Sequence, residues 1–415
     1  MKRILCAIIG LSAIGNCGYL RAQGKTKTIY SFVAPPGPTY PAAGLALGQG
    51  GVLYGTTLGG GSISNYRCGY FNCGTVYELT PPAAAGGSWT ETTLYSFDPS
   101  NGGYAPASVL LRAPIGTLYG WAAYGGSAGL GVAFQLTPPT SPGGSWAQTT
   151  LYNFQGEPAD PGAPIGNLAL GGNGALYGAT SAGGTYNQGT VFELSPPASP
   201  GNPWISMVLY SFRGDGDGIN PAAGVVIGGS GAVYGSTLSG GSVGYGTLFA
   251  LKRNGGVWQE RVLASLGSHQ ERPNGVILGS RGALYGQSGD YGVFKAVPPG
   301  AGGGQWVIES IAGVPNMFPQ SITLGQNGTI YLTTPQGGNS TACGVNQGCG
   351  ALYELLPPAS PGGTWTTVLL HSFTGQHGDG YQPNAGLVVT KKGTVYGTTY
   401  YGGDNFFGTV FRYTP

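Results

Sequence analysis

Charge is what this chain has least of. Asp, Glu, Lys and Arg make up 8% of its 415 residues, against roughly 25% in an ordinary soluble domain. The net charge of +2 is spread thinly along the sequence. A phosphate backbone demands clustered Lys and Arg, so nucleic acid is not an expected partner. Histidine is scarcer still, with only His269, His371 and His377. Proton-transfer chemistry needs acid–base groups that converge. His269 with Glu271 and His377 with Asp379 are the only such neighbours, and they fall in different repeat units. Helical periodicity is missing throughout, and no long apolar run follows the N-terminus, so no transmembrane segment is expected in the mature chain. The expected set of catalytic residues, cofactors and metal sites is therefore empty.

Cysteines are few and placed in two groups. Lys2 and Arg3 precede an apolar run from Ile4 to Ile14, with small residues at Ala22 and Gly24 for cleavage. Residues 1–22 read as a signal peptide and 23–415 as a single domain, secreted, periplasmic or at the cell surface. Asn16-Cys17 is a poor lipidation site, because Asn is large and polar before the cysteine. Export removes Cys6 and Cys17 and leaves Cys68 with Cys73 and Cys343 with Cys349. Pairs this close in an exported chain favour two local disulfides. The alternative, a metal bound by all four thiolates, prefers C-x2-C spacing that neither pair has.

Glycine and proline are abundant, at 82 and 31 residues, and they recur at fixed places between short apolar runs. Leu-Tyr-Gly or a close variant recurs around Tyr54, Tyr119, Tyr177, Tyr234, Tyr285, Tyr331 and Tyr396, so seven similar units make a repeat architecture. Each unit supplies four short segments rich in Val, Leu, Tyr, Phe and Thr, bounded by Gly, Pro, Asn or Ser. Strand A carries Pro-x-Ala-Gly-Leu (Ala43 to Leu47, Ala222 to Ile227, Asn384 to Val389). Strand B carries Leu-Tyr-Gly-Thr-Thr, and strand C Gly-Thr-Val-Phe-Glu-Leu (Gly189 to Leu194). Strand D runs from a Trp to Leu-Tyr-Ser-Phe (Trp89 to Phe97).

Four-stranded units repeated seven times predict an all-β, seven-bladed β-propeller of antiparallel blades. An outer-membrane barrel needs strands of about 9–11 residues with strict alternation, and these segments are shorter and interrupted by Pro-Pro. Trp89, Trp146, Trp204, Trp258, Trp306 and Trp365 each open a strand D after an internal connector. Thr26 to Phe32 reads as a strand D without its connector, and Phe411 to Pro415 as a strand C followed by the first Pro. The N-terminal strand is therefore expected to complete the blade begun by the last three strands.

The phrase Leu-Tyr-Gly-Thr-Thr, Gly-Gly, Gly-Thr-Val-Phe-Glu-Leu, then Leu-Tyr-Ser-Phe before Asp-Gly and Pro resembles the GloVer-type tandem repeat of exported bacterial proteins. The resemblance covers essentially the whole mature chain. It implies the fold and export and brings no catalytic residues. Members often end in a surface-anchoring segment, which is not expected here because Pro415 follows the last strand directly. The inner two segments are also similar to those of NHL-type propeller blades, which implies that strand A lines the channel.

In such blades the A-to-B and C-to-D turns share one face, and the B-to-C and D-to-A loops share the other. The second face collects the segments that vary most, where binding usually lives. It gathers Trp121, Tyr124, Asp217, His377, Asp379 and Tyr401 as candidate ligand-binding residues, together with both cysteine loops. Aromatic rings among small polar groups suit a carbohydrate, peptide or cell-surface protein partner. The leading expectation is an exported, non-catalytic binding propeller. One alternative is a secreted polysaccharide-acting hydrolase or lyase, requiring two or more of Glu157, Asp160, Asp217 and Asp379 within about 5–10 Å of each other. Another is a structural envelope or matrix ring. The Gly-x-Ser-x-Gly matches at Ser127 and Ser242 lie in inter-strand turns, without the strand–turn–helix that a nucleophile elbow needs. Asp215-Gly216-Asp217 reads as a turn and lacks the closing Glu of an EF-hand. The densest charge, from Lys252 and Arg253 to Arg272 and including Glu260, reads as a solvated outer edge.

Overall fold

The computed structural model describes residues 24–415 except 63–67, 69–71, 142, 157–159, 200, 268–271, 289–291, 301–302, 313–318, 320, 344–347 and 361. The segment read as a signal peptide lies outside the described residues. Seven antiparallel sheets form seven blades, all ordered A-B-C-D from the channel outward. In blade 1 these strands are Ala46–Leu47, Leu53–Thr57, Thr75–Thr80 and Thr90–Ser96. In blade 7, Val388–Val389, Val395–Thr399 and Thr409–Thr414 are joined by Lys25–Ser31 from the other end of the chain. The N-terminal strand pairs from Lys25 opposite Thr414 to Ser31 opposite Thr409. Closure therefore occurs as expected.

The repeated phrase becomes legible as a set of contacts between blades. The Gly before each strand C has φ between 91° and 103°, a region open to Gly and costly to other residues. Its carbonyl accepts the N–H of the residue just past strand D, as in Phe97 to Gly74 and Phe212 to Gly189 at 3.0 and 3.1 Å. The second Thr of Leu-Tyr-Gly-Thr-Thr meets the Thr that opens strand C, for example Thr57 with Thr75 and Thr180 with Thr190 at 2.7 and 2.8 Å. The Gly after Tyr leaves room for the strand C ring: a Cβ on Gly178 would lie 2.5 Å from Phe192. All seven C–D pairs carry a β-bulge at the same register. The bulge adds a residue to strand D and re-aims the Tyr-Ser-Phe end.

Core packing lies between blades rather than within them. Among the described residues seven hydrophobic clusters occur, each combining residues of two adjacent blades. The Phe that closes strand D sits edge-to-face on the strand C ring of the next blade: Phe32 on Tyr77, Phe97 on Phe134, Phe154 on Phe192, Phe212 on Phe249 and Phe373 on Phe411, with centroids 5.0–5.4 Å apart. The Trp that opens strand D packs back on the Tyr of the preceding blade, as Trp146 does on Tyr54 and Trp204 on Tyr119. Edge-to-face pairs add roughly 0.5–1.5 kcal/mol each beyond area burial, so the most repeated residues are those that weld blades into a ring.

One element differs from expectation. The five- or six-residue strand A pairs over only two residues in blades 1 and 7. Its first half leaves the ladder because neighbouring inner segments touch around the channel. A Cβ on Gly44 would lie 2.6 Å from the carbonyl oxygen of Gly386 in the neighbouring blade. Just before strand A, the residue preceding Pro is left-handed at Tyr40, Ala105, Ala163, Asn220, Arg272 and Gln382, with φ of 51–60°. Four of these N–H groups reach back to the preceding blade: Tyr40 to Phe407, Ala105 to Cys73, Asn220 to Gln188 and Gln382 to Cys349, at 2.9–3.0 Å.

Candidate functional site

The channel is lined by the inner segments of all seven blades and encloses about 470 Å³. Among the described residues its lining is Ala, Gly, Val, Leu and Ile with Asn167, Asn274, Asn384, Gln287, Ser321 and Thr323, and includes no charged side chain. The described carboxylates that a polysaccharide-acting hydrolase or lyase would use lie outside this lining and are engaged in loops. Asp217 accepts from Tyr210 Oη and from the N–H groups of Arg213 and Gly214, at 2.7–3.0 Å. Asp160 accepts from Tyr152 Oη and the Gln155 N–H. Asp379 meets His371 Nε2 at 3.2 Å and accepts from the Thr374 N–H at 2.9 Å. The three aspartates are thus equivalent loop ties in three different D-to-A connections. His371 takes the place that Tyr152 and Tyr210 hold in other blades, and it is the imidazole that meets Asp379. Glu157, His269 and Glu271 lie outside the described residues.

Both disulfides are formed, with Cα separations of 5.0 Å for Cys68–Cys73 and 5.1 Å for Cys343–Cys349. Such bonds persist in oxidising, extracytoplasmic compartments. Among the described residues no helix is long and apolar enough to cross a membrane.

The other sequence-selected residues separate into a buried and a surface set. Trp121 is 7% exposed. Its indole N–H donates to the Gly166 carbonyl of blade 3 at 2.7 Å, so it wedges a blade junction. Tyr124 is 54% exposed and stacks on Tyr104 at 5.3 Å. Tyr401 has the equivalent place in blade 7 and stacks on Tyr381 at 5.2 Å. Tyr40 joins that second pair, with ring centroids 5.4 Å from Tyr400, 5.7 Å from Tyr401 and 5.7 Å from Phe407. Blades 7, 1 and 2 therefore carry an arc of tyrosines on the variable-loop face. Burial and then Tyr401 push the Tyr40 and Tyr400 hydroxyls above the ordinary phenol value. They remain neutral donors at physiological pH.

Beside this arc lies a pocket of about 480 Å³ lined by Pro335, Gln336, Ala342, Cys343, Gly348, Thr374, Gly375, Gln376, Tyr381, Gln382 and Phe406. Backbone bonds lock its walls together, from Tyr400 N–H to Gln382 and from Gln382 N–H to Cys349, at 3.0 and 2.9 Å. The Phe406 loop is held by the closing strand, since Asn405 Nδ2 donates to the Phe32 carbonyl at 3.3 Å. His377, Asp379 and Asp404 border a second groove of about 750 Å³ along the same strand. Phe406 is not among the residues that the sequence singled out. Its signal was an aromatic where five of the other six units carry Gly or Asn.

A titratable group lies at the outer edge. Burial, reinforced by Asp217 and partly offset by Arg213, pushes the Glu260 carboxyl up to about 7. Its Oε1 is buried without a hydrogen-bond partner. Between about 4.5 and 7 the folded chain keeps a proton that the unfolded chain has lost. Stability therefore falls as pH rises across that window and is level above it. Glu260→Gln should flatten this slope in urea titrations and stabilise at pH 8 by about 1 kcal/mol, discounted for partial exposure. An unchanged slope would show that Glu260 titrates normally.

Comparison with known proteins places the chain. No protein of curated function matches the sequence. Among solved structures, a catalytically inactive virginiamycin B lyase from Staphylococcus aureus with quinupristin superposes with a TM-score of 0.56 at 14% identity, covering 94% of this chain and 99% of that one. The extracellular domain of a one-component system from B. thetaiotaomicron gives 0.52 at 10% identity, over 94% of this chain and 40% of that one. YCF48 bound to D1 peptide gives 0.50 at 14% identity, over 95% and 96%. Likeness at these identities is one of fold. The sequence model of the Gloeobacter/Verrucomicrobia repeat matches residues 19–199 and 116–342. These matches span most of the chain, which belongs to the Gloeobacter/Verrucomicrobia repeat family.

Proposed function

We propose that this protein is an exported, non-catalytic binding propeller. It holds a carbohydrate, peptide or cell-surface partner on the aromatic arc of its variable-loop face. The observation that carries this reading is the meeting of Tyr40, Tyr381, Tyr400 and Tyr401, brought from three separate loops to ring distances of 4.6–5.7 Å. Rigid aromatic side chains offer apolar contact area at low entropy cost, and a disulfide and backbone bonds pre-order the pocket beside them. An uncharged channel and loop-tied aspartates favour binding over acid–base catalysis. The fold is compatible with ligand capture, since similar propellers carry quinupristin or a peptide. Export rests on the N-terminal pattern and the two disulfides.

The test is binding of the full chain to arrays of glycans and peptides. Replacing Tyr381 and Tyr401 together by Ala should lower affinity by about tenfold or more, the equivalent of ~1.4 kcal/mol. Tyr124→Ala, in blade 2, should have a smaller effect. Binding that is indifferent to the Tyr381 and Tyr401 pair would remove the arc from the site.

A further inference from the structure

Phe406 breaks a rule that every other described unit keeps. Two residues before the Gly of strand C, the backbone is left-handed in six units: Asn72, Gly129, Asn187, Gly244, Gly348 and Phe406, with φ between 49° and 86°. Gly and Asn tolerate that conformation, whereas a bulky side chain is strained in it. Phe406 is moreover 66% exposed. The chain therefore places an apolar ring at a backbone position that disfavours it and leaves the ring in water. Local strain and exposure together mark sites kept for something other than folding.

The surroundings of Phe406 define what could cover it. It shares the blade 6–blade 7 pocket with Tyr381, three amide side chains (Gln336, Gln376 and Gln382) and the Cys343–Cys349 disulfide. Among the described residues no Asp, Glu, Lys, Arg or His lines that pocket. A charged ligand would lose hydration there without a counter-charge. Each carboxamide both donates and accepts hydrogen bonds, as a sugar hydroxyl does. Two aromatic rings supply apolar surface for the C–H face of a pyranose, and about 480 Å³ lies within the range of small-ligand sites. We infer that the pocket between blades 6 and 7 is a subsite for a neutral carbohydrate, with Phe406 as its exposed platform and the three glutamines reading hydroxyls. This rests on the binding reading above and narrows it to one ligand class and one place.

The experiment uses isothermal titration of the full chain with neutral hexasaccharides (cello-, xylo- and manno-), with polygalacturonate as an acidic comparator and with a casein-derived peptide mixture. The decisive variant is Phe406→Asn, because Asn is the residue that blades 1 and 3 carry at this position. The expected result is neutral-sugar binding weakened about tenfold or more by Phe406→Asn, while the urea midpoint of the variant rises. Neutral-sugar binding that Phe406→Asn leaves unchanged overturns the subsite. Binding confined to polygalacturonate overturns the neutral assignment. Peptide binding without sugar binding overturns the carbohydrate class while leaving the wider binding reading intact. Failure of every probe to bind overturns both.

Discussion

A chain that starts at Val33 is expected to lose its native ring. The missing segment supplies the outer strand of blade 7, six paired positions from Lys25 to Ser31. It also supplies Phe32, which is fully buried and sits edge-to-face on Tyr77 of blade 1. Removing Phe32 alone, as Phe32→Ala, should cost about 3–5 kcal/mol by transfer and cavity formation. Removing the whole strand also bares the edge of Thr409–Thr414, where Val410, Phe411 and Tyr413 are buried in the intact ring. An unpaired apolar edge recruits other chains. Net stabilities are only about 5–15 kcal/mol, so the truncated chain should aggregate or unfold, whereas Phe32→Ala should fold with a lowered urea midpoint. A truncated chain that stays monomeric with an unchanged midpoint would mean that the ends do not carry the ring. The same strand anchors the Phe406 loop through Ser31 and Phe32, so closure also builds the pocket.

Gly189→Ala should be among the most damaging single-methyl additions in the molecule. Gly189 has φ +91°, and a Cβ there would lie 2.4 Å from the Thr180 carbonyl oxygen and 2.5 Å from Pro221 Cδ of the next blade. Neither neighbour is a flexible side-chain end. The left-handed backbone costs Ala roughly 1–2 kcal/mol before any clash. With strand B and the next blade both forced to shift, a total of about 4 kcal/mol is expected. Gly216 provides the internal comparison: its φ is +103°, and nothing lies within 4 Å of the added Cβ. Gly216→Ala should therefore cost only the backbone term, about 1 kcal/mol. Equal losses in urea unfolding for the two variants would show that the blade junction can yield.

The sequence by itself determined the ring. Its most frequent phrases are junction chemistry repeated in blade after blade, and periodic chemistry is visible without coordinates. The Gly before strand C, the paired threonines, the Phe closing strand D and the Trp opening it each recur because each junction poses the same geometric problem. Closure was legible for the same reason, since a strand D at one end and a strand C at the other are complementary fragments of one unit. Only the tertiary structure decided which unusual residues work together. Trp121 and Tyr124 are three residues apart, yet one is a buried wedge bonded to Gly166 and the other a half-exposed ring on Tyr104. Asp217 and Asp379 read as free loop acids until their loops close around them. Tyr40 and Tyr401 are distant in sequence and become ring neighbours only when the chain ends meet. A repeat reveals what all units share, whereas a site is made where units differ, and the proximity of differences is a property of the closed ring.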